Sequence, residues 1–368
     1  MAQGHLVPPE TAPLLNIPQS DSIVKVSIID STSWVNIPMD PFLGPHYKGK
    51  DRMTGPTYSF FIQHSSGKRI LFDLGVRPDW ENYSPVLVEK FKKMEWDIGA
   101  KKNVASILQE DGINVKSGAI DAVVWSHHHW DHLGDLAGTF PSSTQLIVGP
   151  GFKKAHLPGY PQNKNSPLLQ QDFEDRDVRE VDIASVGTGR KVGRFNAYDY
   201  FGDGSFYLLD TPGHAQAHIC GLARTTADTF IIMGGDASHH GGEIRPSEYL
   251  PLPANLSPSP LPKFNPCPGH LLQEAHYDKS ATKPFYNCTE SFAYDLEVCN
   301  WTIAGLQEFD AAENVFVVLA HDDSLSGVID VYPKSANDWF EKGVAERAKW
   351  MFLKDFEEAV EQAADKKQ

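Results

Sequence analysis

The sequence predicts an α+β chain in which strands and helices alternate around paired sheets. Three observations carry that reading. Short, apolar, β-branched runs such as Ile120 to Trp125 and Val315 to Leu319 have the length and composition of buried strands. Segments with apolar residues at helical spacing, 86–94 and 103–109, stand between such runs. Two long stretches rich in loop signals, at about 151–200 and 241–300, interrupt the alternation and read as insertions.

Along the chain, residues 1–20 read as an extended, proline-punctuated arm, and 21–368 as one domain carrying those insertions. Ser22 to Ile29 alternates polar and apolar residues and gives the first strand. Thr57 to Ile62 and Arg69 to Phe72 follow, turned through Ser65-Ser66-Gly67, and Thr144 to Val148 is a further strand. Near the C-terminus, Ser335 to Phe352 and Asp355 to Ala364 mix charged and apolar residues at helical spacing and read as surface helices. Prolines recurring from Pro246 to Pro268 exclude a long helix in the first half of the second insertion. Its aromatic residues, Phe285, Tyr286 and Phe292 among them, argue against disorder. The segment reads equally as a cover over a pocket or as decoration packed outside the fold. Asp40 to Pro56 is a third candidate wall, with Phe42, His46 and Tyr47 placed either against substrate or on the surface.

Composition narrows the partners. The formal charge is −15 with no block of basic residues, which speaks against a phosphate backbone and so against nucleic acid. No run approaches the roughly 18 consecutive apolar residues of a membrane span. The N-terminus lacks the basic start and apolar core of a secretory signal, so the expected location is cytoplasmic. Cys220, Cys267, Cys288 and Cys299 fall in no metal-ligand spacing and read as free thiols. A homo-oligomer stays open.

The chemistry is concentrated in Ser126-His127-His128-His129-Trp130-Asp131-His132. Four ligand-type groups, His127, His129, Asp131 and His132, occupy six positions at the end of a predicted strand. Alternate residues of an emerging loop point to one side, which puts His127 and His129 together. Imidazole and carboxylate both bind zinc at about 2.0–2.2 Å. A lone histidine is more often a satisfied core residue, but a cluster this dense is best explained by metal.

On these residues the chain resembles the metallo-β-lactamase superfamily of hydrolases, and its other elements follow in order. Arg69 to Gly75 is similar to the family's strand ending in Asp-x-Gly, whose aspartate, here Asp73, supports the site from below. Thr211-Pro212-Gly213-His214 matches the element that supplies a third histidine. Phe230 to Asp236 delivers the aspartate that bridges two metals, and Val315 to Asp322 ends in the last ligand, His321. The resemblance implies an αββα sandwich of the metallo-β-lactamase type with loop insertions. Seven groups then divide between two ions: His127, His129 and His214 on one, Asp131, His132 and His321 on the other, with Asp236 shared. Two divalent metal ions per chain are expected, zinc first, with iron or manganese as alternatives. Such a pair activates a shared hydroxide at neutral pH, and Asp131 orients it or passes its proton to the leaving group.

The expected function is opening of a small cyclic ester, amide or carbamate by that hydroxide, in the lactonase and lactamase-like branch, of which fungal detoxifying lactamases are examples. A thioesterase of glyoxalase II or polyketide type is the runner-up, and an iron sulfur dioxygenase shares much of the ligand set. One departure from the resemblance stands out. Lactonase-like members often carry a tyrosine three residues after the bridging aspartate, where it bonds the substrate carbonyl, and this chain has His239 there. His239 is therefore expected to face the metals as a catalytic donor, against the alternative of an exposed histidine beside His240. His128 is expected to point away from the metals and His218 to make a buried hydrogen bond.

Overall fold

Two six-stranded sheets organise the chain in a computed structural model that describes residues 4–40, 42–94, 96–183 and 190–365. The first sheet runs Val24–Asp30, Tyr58–His64, Arg69–Phe72, Ala122–Val124, Gln145–Val148 and Val178–Glu180. Its first three strands pair antiparallel and the remainder in parallel. The second runs Lys191–Val192, Phe195–Asp199, Phe206–Asp210, Ile219–Arg224, Phe230–Met233 and Val315–Val318, antiparallel except for its last pair.

Period-two alternation sorts the strand side chains into separate cores. Ile28, Phe60, Ile62, Phe72 and Val124 of the first sheet meet Phe206, Leu208, Ile231, Met233 and Val318 of the second between the sheets. On the outer face of the first sheet, Phe61, Leu71, Val123 and Leu146 lie under Val104 and Leu108 of helix Val104–Glu110. On the outer face of the second, Leu209, Leu222, Ile232 and Val317 lie under Ile303, Leu306 and Phe309 of helix Leu296–Ala311. The layers are helix, sheet, sheet, helix, as expected. Both helices start at capping side chains: Asn103 accepts from Ser106 N at 2.7 Å, and Asp295 from Val298 N at 3.1 Å.

A fourth apolar cluster lies beyond the sandwich. It joins Val35, Ile37 and Met53 of a three-stranded sheet (Arg52–Gly55, Ser33–Pro38, Asp97–Ala100) to Leu252, Phe285 and Tyr286, and to Phe352, Phe356 and Val360 near the C-terminus. Tyr47 sits at its centre, with ring centroids 4.7 Å from Phe356 and 5.5 Å from Tyr286. The proline-rich segment is thus part of a further core outside the sandwich. The arm is tied along it: Leu6 N donates to Leu252 O and Glu10 N to Glu248 O, both at 2.8 Å.

Two expectations need correction. Ser335 to Phe352 is not a surface helix; it holds only the short helix Val344–Ala348 and the start of a 3₁₀ turn at Met351–Phe356. Asn337 supplies the reason. Its Oδ1 accepts from Val26 N at 2.8 Å, while its Nδ2 donates to Val24 O at 2.8 Å and Thr225 O at 2.9 Å, holding the segment against the sandwich edge. Trp339 then fills the space between the sheets. Further on, Asp355 to Ala364 does hold a helix, Glu357–Asp365, whose inner face buries Val360 in the fourth cluster beside Phe356. The stretch 151–200, read as an insertion of loops, supplies edge strands to both sheets, Val178–Glu180 in one and Lys191–Val192 and Phe195–Asp199 in the other; residues 184–189 lie outside those described. Among the described residues, no helix is long and apolar enough to cross a membrane.

Candidate metal centre

Each strand that carries a ligand-type residue ends near the same place. His127 and His129 follow Ala122–Val124, and the one-turn helix Trp130–Leu133 presents Asp131 and His132. His214 follows Phe206–Asp210, Asp236 follows Phe230–Met233, and His321 follows Val315–Val318. Glycine makes one approach feasible: Gly213 has φ 122°, and a Cβ there would stand 2.2 Å from Cys299 N in the helix packed against it.

The seven residues converge as two groups that share Asp236. One is His127, His129, His214 and Asp236; the other is Asp131, His132, Asp236 and His321, with the donor atoms of each group within 4.8 Å of one another. In the first, His214 Nε2 lies 3.2 Å from His127 Nε2 and 3.0 Å from His129 Nδ1, and Asp236 Oδ2 lies 3.7 Å from His127 Nε2. In the second, Asp236 Oδ1 is 3.0 Å from His132 Nε2 and 3.2 Å from His321 Nε2, which is 3.3 Å from Asp131 Oδ2. Donors about 2.1 Å from one ion in a tetrahedron stand about 3.4 Å apart, so the spacings suit a metal. The residues fit on a second ground. His132 Nε2 and Asp236 Oδ1 are buried without a hydrogen-bond partner despite their proximity, which is the state of atoms aimed at a common point rather than at each other.

Outer nitrogens are held from behind, which fixes ring orientation. Asp73 Oδ2 is 2.8 Å from His132 Nδ1, while its Oδ1 accepts from Ser126 N at 2.7 Å. Ser126 Oγ is 2.9 Å from His127 Nδ1, and His321 Nδ1 is 2.8 Å from Pro56 O. His218 Nε2 accepts from Asp236 N at 3.1 Å, the buried bond expected of it. His128 stacks on His156 at 4.0 Å and belongs to neither group.

The electrostatics favour cations. Burial pushes His127, His129 and His214 toward the neutral form that binds metal, His129 to about 4. Burial also opposes charge on His132 and His321, but Asp236 and Asp131, joined at His132 by Asp73, outweigh it and raise both, His321 to about 10. Burial would raise Asp236, yet His132, His321 and His239 around it hold it well below the usual carboxylate range.

His239 is 3% exposed, so it is not a surface histidine. Its Nε2 lies 3.3 Å from Asp236 Oδ2 and has no hydrogen-bond partner, but it belongs to neither ligand group. Phe292, from the proline-rich segment, covers it at 4.6 Å between ring centroids and covers His214 at 5.1 Å. Phe42 packs on Phe292 at 4.3 Å; His46 is exposed, one of the two alternatives open to it, and Tyr47 is core, which is neither. A narrow cleft lined by Lys50, Met53, Thr54, His239, His321 and Phe352 reaches the cluster. A larger cavity of about 580 Å³, walled by Tyr249, Trp339, Phe340 and Trp350, touches none of the seven residues. Sequence reasoning missed Glu243, which is 1% exposed and accepts from His239 N at 2.6 Å. Its bond is to a backbone N–H, so no motif or spacing marks it in the sequence.

Comparison with known proteins agrees with this geometry. Residues 52–276 match the family described as the metallo-beta-lactamase superfamily. The chain is 43% identical over 355 residues to a gamma-lactamase of Fusarium pseudograminearum (strain CS3096), covering 94% of this chain and 85% of that protein. It is 42% identical over 357 residues to a metallo-hydrolase of Annulohypoxylon moriforme, covering 96% and 92% respectively. The crystal structure of a quorum-quenching N-acyl homoserine lactone hydrolase superposes with a TM-score of 0.54 at 16% identity, over 86% of this chain and 99% of that one. At that identity the likeness is one of fold.

Proposed function

The chain belongs to the metallo-β-lactamase superfamily, and from that premise we propose that it is a two-metal hydrolase opening a small cyclic amide, carbamate or ester. The observation that carries this reading is the pair of donor groups hinged on Asp236, with His239 set against the same carboxylate. Cyclic amides come first, because a relative 43% identical over nearly the whole chain is named a gamma-lactamase. His127, His129, His214 and Asp236 would hold one divalent ion, and Asp131, His132, His321 and Asp236 the other. Such ions, zinc by preference, supply a hydroxide nucleophile at neutral pH and polarise the substrate carbonyl.

The chain's own residues complete the reaction. With its proton on Nε2, which has no hydrogen-bond partner within the protein, His239 donates a hydrogen bond to the carbonyl oxygen as negative charge develops there. Asp131, beside His321, orients the attacking oxygen and carries its proton to the departing nitrogen or oxygen. Phe292 walls the site on one side, backed by Phe42, and gives that side an apolar face. The test is hydrolysis of a γ-lactam, a cyclic carbamate, a γ-lactone and an acyl thioester by zinc-loaded protein. Turnover of the cyclic substrates above the thioester is expected. Turnover of the thioester alone would replace this reading with a thioesterase.

A further inference from the structure

We propose that Glu243 is a positioning residue for His239, holding the imidazole against Asp236 through the backbone turn that carries it. The role of His239 toward substrate rests on the function proposed above; its placement by Glu243 does not.

Glu243 is an unusual buried carboxylate. At 1% exposure it makes no ion pair with lysine or arginine among the described residues, although burying an unpaired charge is costly. Its nearest basic atom is His239 Nδ1, at 4.0 Å, beyond hydrogen-bond reach. One oxygen, Oε2, is the acceptor for His239 N at 2.6 Å and for Ser238 Oγ at 3.0 Å, while Oε1 has no partner. Both bonds go to the turn between Asp236 and the helix Gly241–Ile244.

The local geometry departs from ordinary helix capping in one informative way. In a capping box the acidic residue at the third helical position reaches back to the N–H of the cap itself. Here the cap is His240, whose Nδ1 accepts from Gly242 N at 2.9 Å, and Glu243 occupies that third position. Its carboxylate passes over the cap and takes the N–H of His239 instead. Asp355 holds the cap from the far side, 3.0 Å from His240 Nε2. The backbone of His239 is therefore fixed from within and its neighbour from without, and the ring that results is buried with a free Nε2 beside the shared aspartate. Helix initiation alone needs only a solvated cap. The buried, half-satisfied carboxylate makes sense as the device that aims one imidazole.

Glu243→Gln keeps an acceptor oxygen in the same place and replaces the unpartnered oxygen with an amide; Glu243→Ala removes the acceptor. Crystal structures of both zinc-loaded variants read the position of the His239 ring directly, and metal analysis reads the cluster. In Glu243→Ala the ring is expected to leave its place 3.3 Å from Asp236 while metal content stays at the parent's value. Glu243→Gln should restore the ring. On a γ-lactam or γ-lactone probe, kcat should fall about 10- to 100-fold in the alanine variant with KM little changed, and recover in the glutamine variant. A ring that stays in place in Glu243→Ala overturns the proposal. So does a double variant with His239→Ala in which the two losses simply multiply. A displaced ring combined with full activity in His239→Ala would leave the positioning intact and sink the substrate contact instead.

Discussion

Replacing Asp73 with asparagine tests the centre without touching any ligand-type atom. Asp73 is 1% exposed and sits at φ 59°, a left-handed conformation that asparagine tolerates and alanine does not, so Asp73→Asn leaves the backbone unstrained. The aspartate accepts on both oxygens, from Ser126 N at 2.7 Å and opposite His132 Nδ1 at 2.8 Å. Asparagine accepts on one and donates on the other. Without metal, His132 can accept that amide on Nδ1 and turn an Nε2–H toward Asp236 Oδ1 at 3.0 Å, so the stability cost there is small. With metal, the loss falls on His132, whose ring is no longer fixed by a carboxylate; such supports are worth about 10- to 100-fold in affinity. Competition titration with a chelating dye should show the group of Asp131, His132, Asp236 and His321 weakened by that factor, about 1.4–2.7 kcal/mol. The group of His127, His129 and His214 should hold its affinity. Unchanged affinity at both groups would refute the argument, and an equal loss at both would mean that Asp73 acts on the whole fold.

Elemental analysis of purified protein should give about two divalent ions per chain and His321→Ala about one, with hydrolysis abolished by chelator; one ion in both proteins would leave a single-metal centre. Phe292→Ala should alter relative rates among lactam, lactone and thioester substrates with metal content intact, since its ring lies 4.6 Å from His239 and 5.1 Å from His214; unaltered preferences would remove it from the pocket wall. Asp355→Asn addresses pH. Burial would raise Asp355, but its bonds to His240 and Lys50 depress it from 3.8 to about 2, so its contribution is complete above 3.8 and fades as pH falls through 2. The variant should lose roughly 2 kcal/mol at pH 7 and about half of that near pH 3 in denaturant melts. A gap that is constant with pH would show that lost packing, not charge, is responsible.

The sandwich was legible because its strands are short apolar runs whose two faces are both buried, and such runs announce themselves in composition. Ala122–Val124, Phe230–Met233 and Val315–Val318 are buried at every position. The edges were not legible for the converse reason. Val178–Glu180 has no fully buried residue, and Phe195–Asp199 buries only Phe195 and Ala197, so neither stretch differs in pattern from a polar loop. The C-terminal region misled in another way. Apolar residues at helical spacing do mark Trp339, Val344 and Ala348 as buried, but they are buried against the sandwich by a segment that Asn337 ties to strand carbonyls, and no periodicity reveals that tie.

The same distinction separates what could be read of the centre from what could not. His127, His129, Asp131 and His132 lie within six positions, and the other three residues each end an apolar strand, so chain order alone brings them to one rim of the paired sheets. The wall around them is built by long-range contacts without a periodic signature. Phe42 and Phe292 come from stretches that look like loops, and they meet where the segment after Asp40 pairs with the proline-rich segment, Leu43–Gly44 against Asn287–Cys288. Glu243 shows where the limit falls. Its carboxylate binds a backbone N–H, which every residue but proline possesses, so no partner in the sequence could have disclosed it. What marks it is energetic: a carboxylate withdrawn from water, with one oxygen unsatisfied, beside a histidine outside both ligand groups whose free nitrogen faces the shared aspartate.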